Sequence, residues 1–143
     1  MGVDDADHIR ALVHTYADLL DAGDLDGVAE LFAHATWRSA QRADVLRGAE
    51  QVRRAYDDVI LYDGVPHTKH VISNVTVISD GTPLAGAHSY FTVLQARPEL
   101  LLQPILAGRY HDEFERVDGE WRFSDRLILP DLVGDLSHHM RRP

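Results

Sequence analysis

The chain has 143 residues, 45% of them apolar, and a formal charge of −9 from 23 acidic against 14 basic side chains. Its length suits one packed core spanning residues 1–143 and is too short for two domains, while the acidic field, with no basic cluster beyond Arg141-Arg142, argues against a nucleic-acid partner. Zero cysteines exclude disulfides, thiol nucleophiles and thiolate metal sites. No apolar run approaches the ~20 residues of a bilayer span, and the acidic Met1–Asp7 lacks the basic-then-apolar order of a signal peptide. A cytoplasmic protein without membrane contact is the expectation.

Ile9, Leu12, Val13, Tyr16, Leu19 and Leu20 recur at helical spacing and predict an amphipathic helix, with Asp4, Asp5 and Asp7 ahead of it as cap and dipole partners. Gly23 suits the position just past its end, and Asp24-Leu-Asp26 opens a second short helix carrying Val28, Leu31 and Phe32. Trp37 falls in a short strand. Residues 48–60 read as a third helix with Val52, Ala55, Tyr56 and Val59 inward. From Thr68 the period becomes two. Residues 70–78 and 84–95 read as strands joined by a turn at Ser79 to Pro83, and residues 103–116 and 120–129 form a second pair around Asp118-Gly119. Three helices followed by a meander of long strands predict an α+β domain, with helices packed on one face of a curved, mainly antiparallel sheet. Pro130 is expected to end strand pairing. Beyond it Leu132, Val133, Leu136 and Met140 recur at helix-like spacing, as a lid over a cavity or as a frayed end.

Acid/base chemistry has three candidates. Asp21 closes the first helix, where the macrodipole disfavours a negative charge, so its pKa should rise unless a cation compensates. It could hold the His70 imidazole in one tautomer and stabilise its protonated form; the plain alternative is a solvated corner carboxylate. Alternation places His70, Ile72, Asn74 and Thr76 on one strand face, a mixed pattern that fits either a pocket wall or simple exposure. Tyr16 lies on the apolar stripe, so its ring packs whether or not its hydroxyl reaches a cavity to donate to an oxygen gaining charge. Arg126 could clamp a carbonyl or neutralise Asp125. Alternation sets it opposite Trp121 and Phe123, so a pocket role for both faces needs a bulge. Nine histidines raise the question of a metal, with His67-x-x-His70 and His138-His139 as candidate spacings. The first straddles a loop and a strand and no cysteine is available, so no metal and no cofactor are expected.

The segments Tyr16-Ala-Asp-Leu-Leu-Asp-Ala-Gly-Asp-Leu-Asp26, Leu31-Phe-Ala33, Gly48-Ala-Glu50, His67-Thr-Lys-His-Val-Ile-Ser-Asn74 and Ala107-Gly-Arg-Tyr-His-Asp-Glu-Phe-Glu-Arg-Val-Asp-Gly-Glu-Trp-Arg-Phe123 occur in an order and spacing that resembles one family over nearly the whole chain. This is the SnoaL-like branch of the superfamily named for nuclear transport factor 2. The resemblance implies a cone-shaped α+β barrel whose helices close a deep pocket. Members include scytalone dehydratase, bile acid dehydratase, hexachlorocyclohexane dehydrochlorinase, polyketide cyclases, steroid isomerases and proteins that only bind, so the fold does not decide function. It implies a catalytic Asp21 and His70 pair, Tyr16 in the place of the bile acid enzyme's tyrosine, Arg126 as a pocket arginine and Trp37 as a pocket tryptophan. Ile72, Asn74, Tyr90 and Tyr110 complete the candidate substrate wall. A second strand histidine like that of scytalone dehydratase could only be His88 or His111.

These readings converge on a metal-free lyase or isomerase acting on an apolar cyclic, steroid- or polyketide-like molecule. His70 would be the base, Asp21 its partner, and Tyr16 with Arg126 the groups that stabilise an oxyanion or leaving hydroxyl. Water elimination comes first; aldol cyclisation and double-bond isomerisation need the same parts. The alternatives of another class are a small-molecule binding module and a non-catalytic subunit of a ring-hydroxylating oxygenase. A homo-oligomer, dimer or trimer, is expected because an open curved sheet leaves an apolar outer face.

Overall fold

Helix α1 (Asp5–Asp21) forms on the expected stripe, with the Asp4 side chain accepting from the Asp7 backbone N at 2.8 Å and Ile9, Val13, Tyr16, Ala17 and Leu20 buried. The computed structural model describes residues 4–142, so Met1–Val3 of the acidic leader and Pro143 lie outside the described residues. Helix α2 (Leu25–Glu30) follows, capped by Asp24. Strands β1 (Thr36–Ser39) and β2 (Leu46–Arg47) precede helix α3 (Gly48–Ala55), and four long strands complete the chain: β3 (Thr68–Ser79), β4 (Leu84–Arg97), β5 (Leu100–Val117) and β6 (Glu120–Val133). No described helix is long and apolar enough to cross a membrane.

The sheet has the order β2-β1-β6-β5-β4-β3, antiparallel except where β1 runs parallel to β6. The expected α+β architecture is present, with the sheet curved but open rather than closed into a cone. Helices α1 to α3 lie against its inner face, and Val13, Val28, Phe32, Val52, Val93, Ile105 and Phe123 fill the space between. Each such side chain contributes about 1.5–3 kcal/mol on burial.

Three features depart from simple periodicity. Helix α3 stops at Ala55 instead of continuing to Ile60, because the following segment pairs with the chain end: Val59 bridges Met140, and the Ile60 backbone N donates to the His139 carbonyl at 2.8 Å. Strand β6 continues through Pro130, which sits opposite Gly108 beside a register shift. Proline is tolerated at such an irregularity because its missing N–H interrupts no ladder bond that the bulge had not already broken. Gly108 is needed there, since a Cβ would meet the Leu129 carbonyl and the Phe91 ring. The tail from Gly134 is not a helix; it runs back as turns along residues 58–62, the segment that follows α3.

Two further bulges re-aim side chains. In β6 the register slips between the Phe114–Phe123 and Glu113–Asp125 pairs, leaving Ser124 unmatched. That extra residue puts Arg126, Ile128 and Pro130 on the same inner face as Trp121 and Phe123. In β3 the slip lies between Ser73 and Thr76, with Asn74 in the left-handed region at φ 52°. Thr68, His70 and Ile72 therefore face in before the bulge and Val75 and Val77 after it, while Asn74 and Thr76 are exposed.

Candidate active site

The end of α1 and the start of β3 meet beside a glycine corner, where Gly23 has φ 79° and a Cβ would collide with the Gly64 carbonyl. This sets Asp21 against His70. Three donors converge on the carboxylate: Thr68 Oγ1 donates to Oδ1 at 2.9 Å, the His70 backbone N to Oδ2 at 2.8 Å, and His70 Nδ1 lies 2.6 Å from Oδ1. Burial opposes charge on Asp21, but hydrogen bonds and attraction from His70, with help from Thr68, outweigh it and hold the carboxyl below its ordinary range. The rise expected at a helix C-terminus is thus reversed by donors from β3. An ionised carboxylate only accepts, so Nδ1 carries the proton toward it, and a ring with one proton has its lone pair on Nε2.

His70 forms part of the wall of a cavity of about 270 Å3, whose lining also includes Tyr16, Trp37, Tyr56, Phe91, Tyr110 and Ile128. Asp21 stands behind His70 rather than on that wall. Inside, the Tyr16 and Tyr56 hydroxyls are 2.7 Å apart and Trp37 Nε1 donates to the Tyr56 hydroxyl at 3.3 Å. One of the two phenolic hydrogens is used between them. The other remains for Tyr110 or for an oxygen of a bound molecule. Burial raises the pKa of all three tyrosines, so they stay protonated donors.

Arg126 does not line the cavity. It is fully buried, with Nε and Nη2 on the Asp112 carboxylate at 2.8 and 2.9 Å. Its guanidinium carbon lies 3.8 Å from the Tyr110 ring centre and 4.3 Å from that of Tyr16, so two phenols separate it from any ligand. The expected direct clamp on substrate is corrected to a cation packed behind the tyrosines. Burial works against the charge of both partners; Asp112 keeps Arg126 cationic, while burial lifts the Asp112 carboxyl above its usual range against the pull of Arg126.

Other candidates separate as follows. Trp37 and Tyr110 are on the wall. Ile72 faces inward but packs against the core without reaching the cavity. Asn74 and Tyr90 are off the wall: Asn74 is carried out by the β3 bulge, and Tyr90, 51% exposed, alternates outward from buried Ser89 and Phe91 on β4. They line an outer depression that also holds His88 and His111, whose rings stack at 4.0 Å, so neither histidine is the second imidazole of the cavity. Among the described residues no three His, Cys, Asp or Glu side chains converge as metal ligands.

A second imidazole is present from an unexpected place. His139, 5% exposed, lines the cavity with its ring centre 6.3 Å from that of His70. Nothing in the local pattern of residues 134–140 signals this, because the segment reaches the cavity only by pairing with residues 58–62. Tyr56 carries a clearer signal, lying on the apolar stripe of residues 52–59.

A family model described as a SnoaL-like domain matches residues 2–127, and the chain belongs to that family. No curated protein matches the chain. Among solved structures, it is similar to a Nostoc punctiforme protein of unknown function with a cystatin-like fold, at 20% identity and a TM-score of 0.75 over 95% of this chain and 99% of that one. It is also similar to a candidate scytalone dehydratase from Novosphingobium aromaticivorans, at 21% identity and a TM-score of 0.72 over 90% and 85% of the two chains. A third similar structure is the β subunit of a candidate aromatic-ring-hydroxylating dioxygenase from the same organism, at 16% identity and a TM-score of 0.71 over 90% of each chain. At these identities the structures share the fold.

Proposed function

We propose that the chain is a lyase or isomerase that removes a proton beside a carbonyl, in the first instance to eliminate water from a small cyclic hydroxy ketone. The observation that carries this is the 2.6 Å contact of His70 Nδ1 with a carboxylate held below its ordinary pKa, on a ring whose other side faces an aromatic cavity. His70 Nε2 takes the proton from carbon, and Asp21 stabilises the imidazolium. The free hydrogen of the Tyr16–Tyr56 pair is donated to the carbonyl oxygen as it becomes an enolate. The carbon–oxygen bond of the β-hydroxyl then breaks, and the leaving oxygen takes the proton from His70 as water. Arg126 acts through Tyr16 and Tyr110, whose rings it holds from behind.

The cavity supports a narrower substrate class than the family spans. An apolar cavity of about 150 Å3 accepts a benzene ring, so about 270 Å3 favours one or two rings over a four-ring steroid skeleton. Isomerisation or aldol closure would use the same proton abstraction. A binding module would use the same contacts without chemistry. Incubation with cyclic β-hydroxy ketones followed by mass measurement separates these outcomes: elimination loses the mass of water, whereas an unchanged mass and unchanged retention would leave only binding. A homo-oligomer is proposed through the outer sheet face, where Val71, Tyr90 and Leu132 are 46%, 51% and 70% exposed.

A further inference from the structure

The C-terminal strap is fixed to the body of the protein on both sides of His139. The His138 carbonyl accepts from the Tyr62 hydroxyl at 2.6 Å and from buried Gln95 Nε2 at 3.1 Å, and the same Gln95 nitrogen donates to the Pro66 carbonyl at 3.1 Å. The His139 carbonyl accepts from Ile60 N, its own N–H donates to the Leu136 carbonyl, and Arg141 N donates to the Asp58 carbonyl. The side chain between these anchors has one inward course, onto the cavity wall beside His70. A segment pinned by this many backbone bonds is no frayed end.

Neither ring nitrogen of His139 has a hydrogen-bond partner among the described residues: Nδ1 is sealed from solvent, so Nε2 is the nitrogen that a cavity occupant can reach. Buried polar atoms are nearly always satisfied, so an imidazole nitrogen left open beside a cavity points to a group that arrives with the occupant. A side chain that served only as filler would be better apolar, as its strap neighbours Leu136 and Met140 are. The ring also sits where charge would be costly: burial, and then the nearby His70, push its pKa down to about 4, against a weaker opposite pull from Asp21. Of the other charged side chains on the lining, Asp58 and Arg142 are paired to one another at 3.1 Å and Arg42 is paired to Asp44 at 3.0 Å.

We propose that His139 is a second ligand-binding group of the cavity, an imidazole that hydrogen-bonds an oxygen of the bound molecule distinct from the one held at Tyr16 and Tyr56. The ligand is therefore a one- or two-ring compound bearing two oxygen functions, one at the tyrosine pair and one near the strap. This assignment rests on the reading of the cavity as the substrate site but needs no turnover. A neutral imidazole cannot supply the leaving group's proton as readily as a protonated one, so His139 binds and orients while His70 carries the proton.

The test uses 1-naphthol and the dihydroxynaphthalene isomers, which present two fused rings with one or two oxygens. Wild-type protein is expected to bind at least one dihydroxy isomer about tenfold or more tightly than 1-naphthol, the size of one well-formed hydrogen bond. In His139→Phe that preference should be lost, the dihydroxy isomer and 1-naphthol binding within about twofold of one another, and His139→Gln, which keeps a donor and an acceptor, should retain part of it. If His139→Phe does not fold, the Gln variant and the imidazole 15N signals decide. The His139 signals, assigned by their loss in His139→Gln, should shift with the preferred isomer and not with 1-naphthol. The proposal is overturned by the absence of any two-oxygen preference, by its survival in His139→Phe, or by unmoved His139 signals. His70→Gln should abolish turnover and keep the preference, so a protein that eliminates nothing yet discriminates by oxygen count would refute the lyase reading and uphold this one.

Discussion

Replacing Asp21 by Asn changes one atom, and the donors around it determine the consequence. Thr68 Oγ1, His70 N and His70 Nδ1 all point at the carboxylate, two of them at Oδ1 and one at Oδ2. An amide has a single acceptor oxygen. With that oxygen in the Oδ1 place, its NH2 group opposes the His70 backbone N–H, donor against donor. With the oxygen in the Oδ2 place, NH2 faces Nδ1, which must then accept, so the proton moves to Nε2 and the base is lost from the cavity. Either arrangement forfeits charge-assisted bonds worth about 1.5–3 kcal/mol, and under the proposed mechanism the second also removes general-base catalysis worth about 10²–10⁴ in kcat. Because the folded-state pKa of Asp21 is depressed, its stabilisation is fully present above about pH 4 and is lost as pH falls through the folded value. Asn does not titrate. The stability gap between wild type and Asp21→Asn, measured by urea unfolding, should therefore be widest near neutrality and close in acid. Turnover of a hydroxy ketone within about threefold of wild type, at unchanged ligand affinity, would refute the dyad.

The remaining expectations concern support and closure. Arg126→Met should destabilise by about 3–5 kcal/mol because it leaves Asp112 buried and uncompensated, whereas Arg126→Met with Asp112→Leu should recover most of that loss; equal stability of the single variant and wild type in urea would contradict a closed ion pair. Deleting residues after Val133 removes Leu136, His139 and Met140 from the wall and uncaps Ile60, so ligand affinity and the thermal midpoint should fall together in calorimetry, and an unmoved midpoint would show the strap to be unattached. Tyr90→Ser on the outer face should leave kcat/KM within about twofold and, if that face joins copies of the chain, lower the oligomer mass seen by light scattering; a kinetic loss without a change of mass would place Tyr90 back at the site.

The parts of the fold that follow local periodicity were legible. The stripe from Ile9 to Leu20 marks α1 and its buried face, and the change of period at Thr68 marks the meander. The residues offer the Asp21–His70 pairing only beside a solvated corner and the resemblance selects it, because the two stand 49 positions apart in the chain and meet through the packing of α1 on β3. Alternation misplaced what lies beyond a bulge. Asn74, in a left-handed conformation that asparagine tolerates, turns the strand over, and unmatched Ser124 brings Arg126 inward with Trp121 and Phe123. The need for such a bulge near Arg126 was visible, but its position was not. Pro130 read as a strand end because the sequence does not reveal that Gly108 and a register shift stand opposite it. His139 was illegible for the same kind of reason, since its environment is made by residues 58–70 and 95, none of them near it in the chain.

The most direct measurement is hydrogen exchange at the carbon beside the carbonyl of a bound cyclic ketone lacking a leaving group, followed by NMR in D2O. It reports proton abstraction whether the full reaction ends in elimination, isomerisation or ring closure. Wild-type protein is expected to incorporate deuterium, with the rate lowered by about 10²–10⁴ in His70→Gln and similarly in Asp21→Asn. No exchange above the uncatalysed rate by wild type with the ketone bound, or equal exchange by wild type and His70→Gln, would contradict the assignment of His70 as the base.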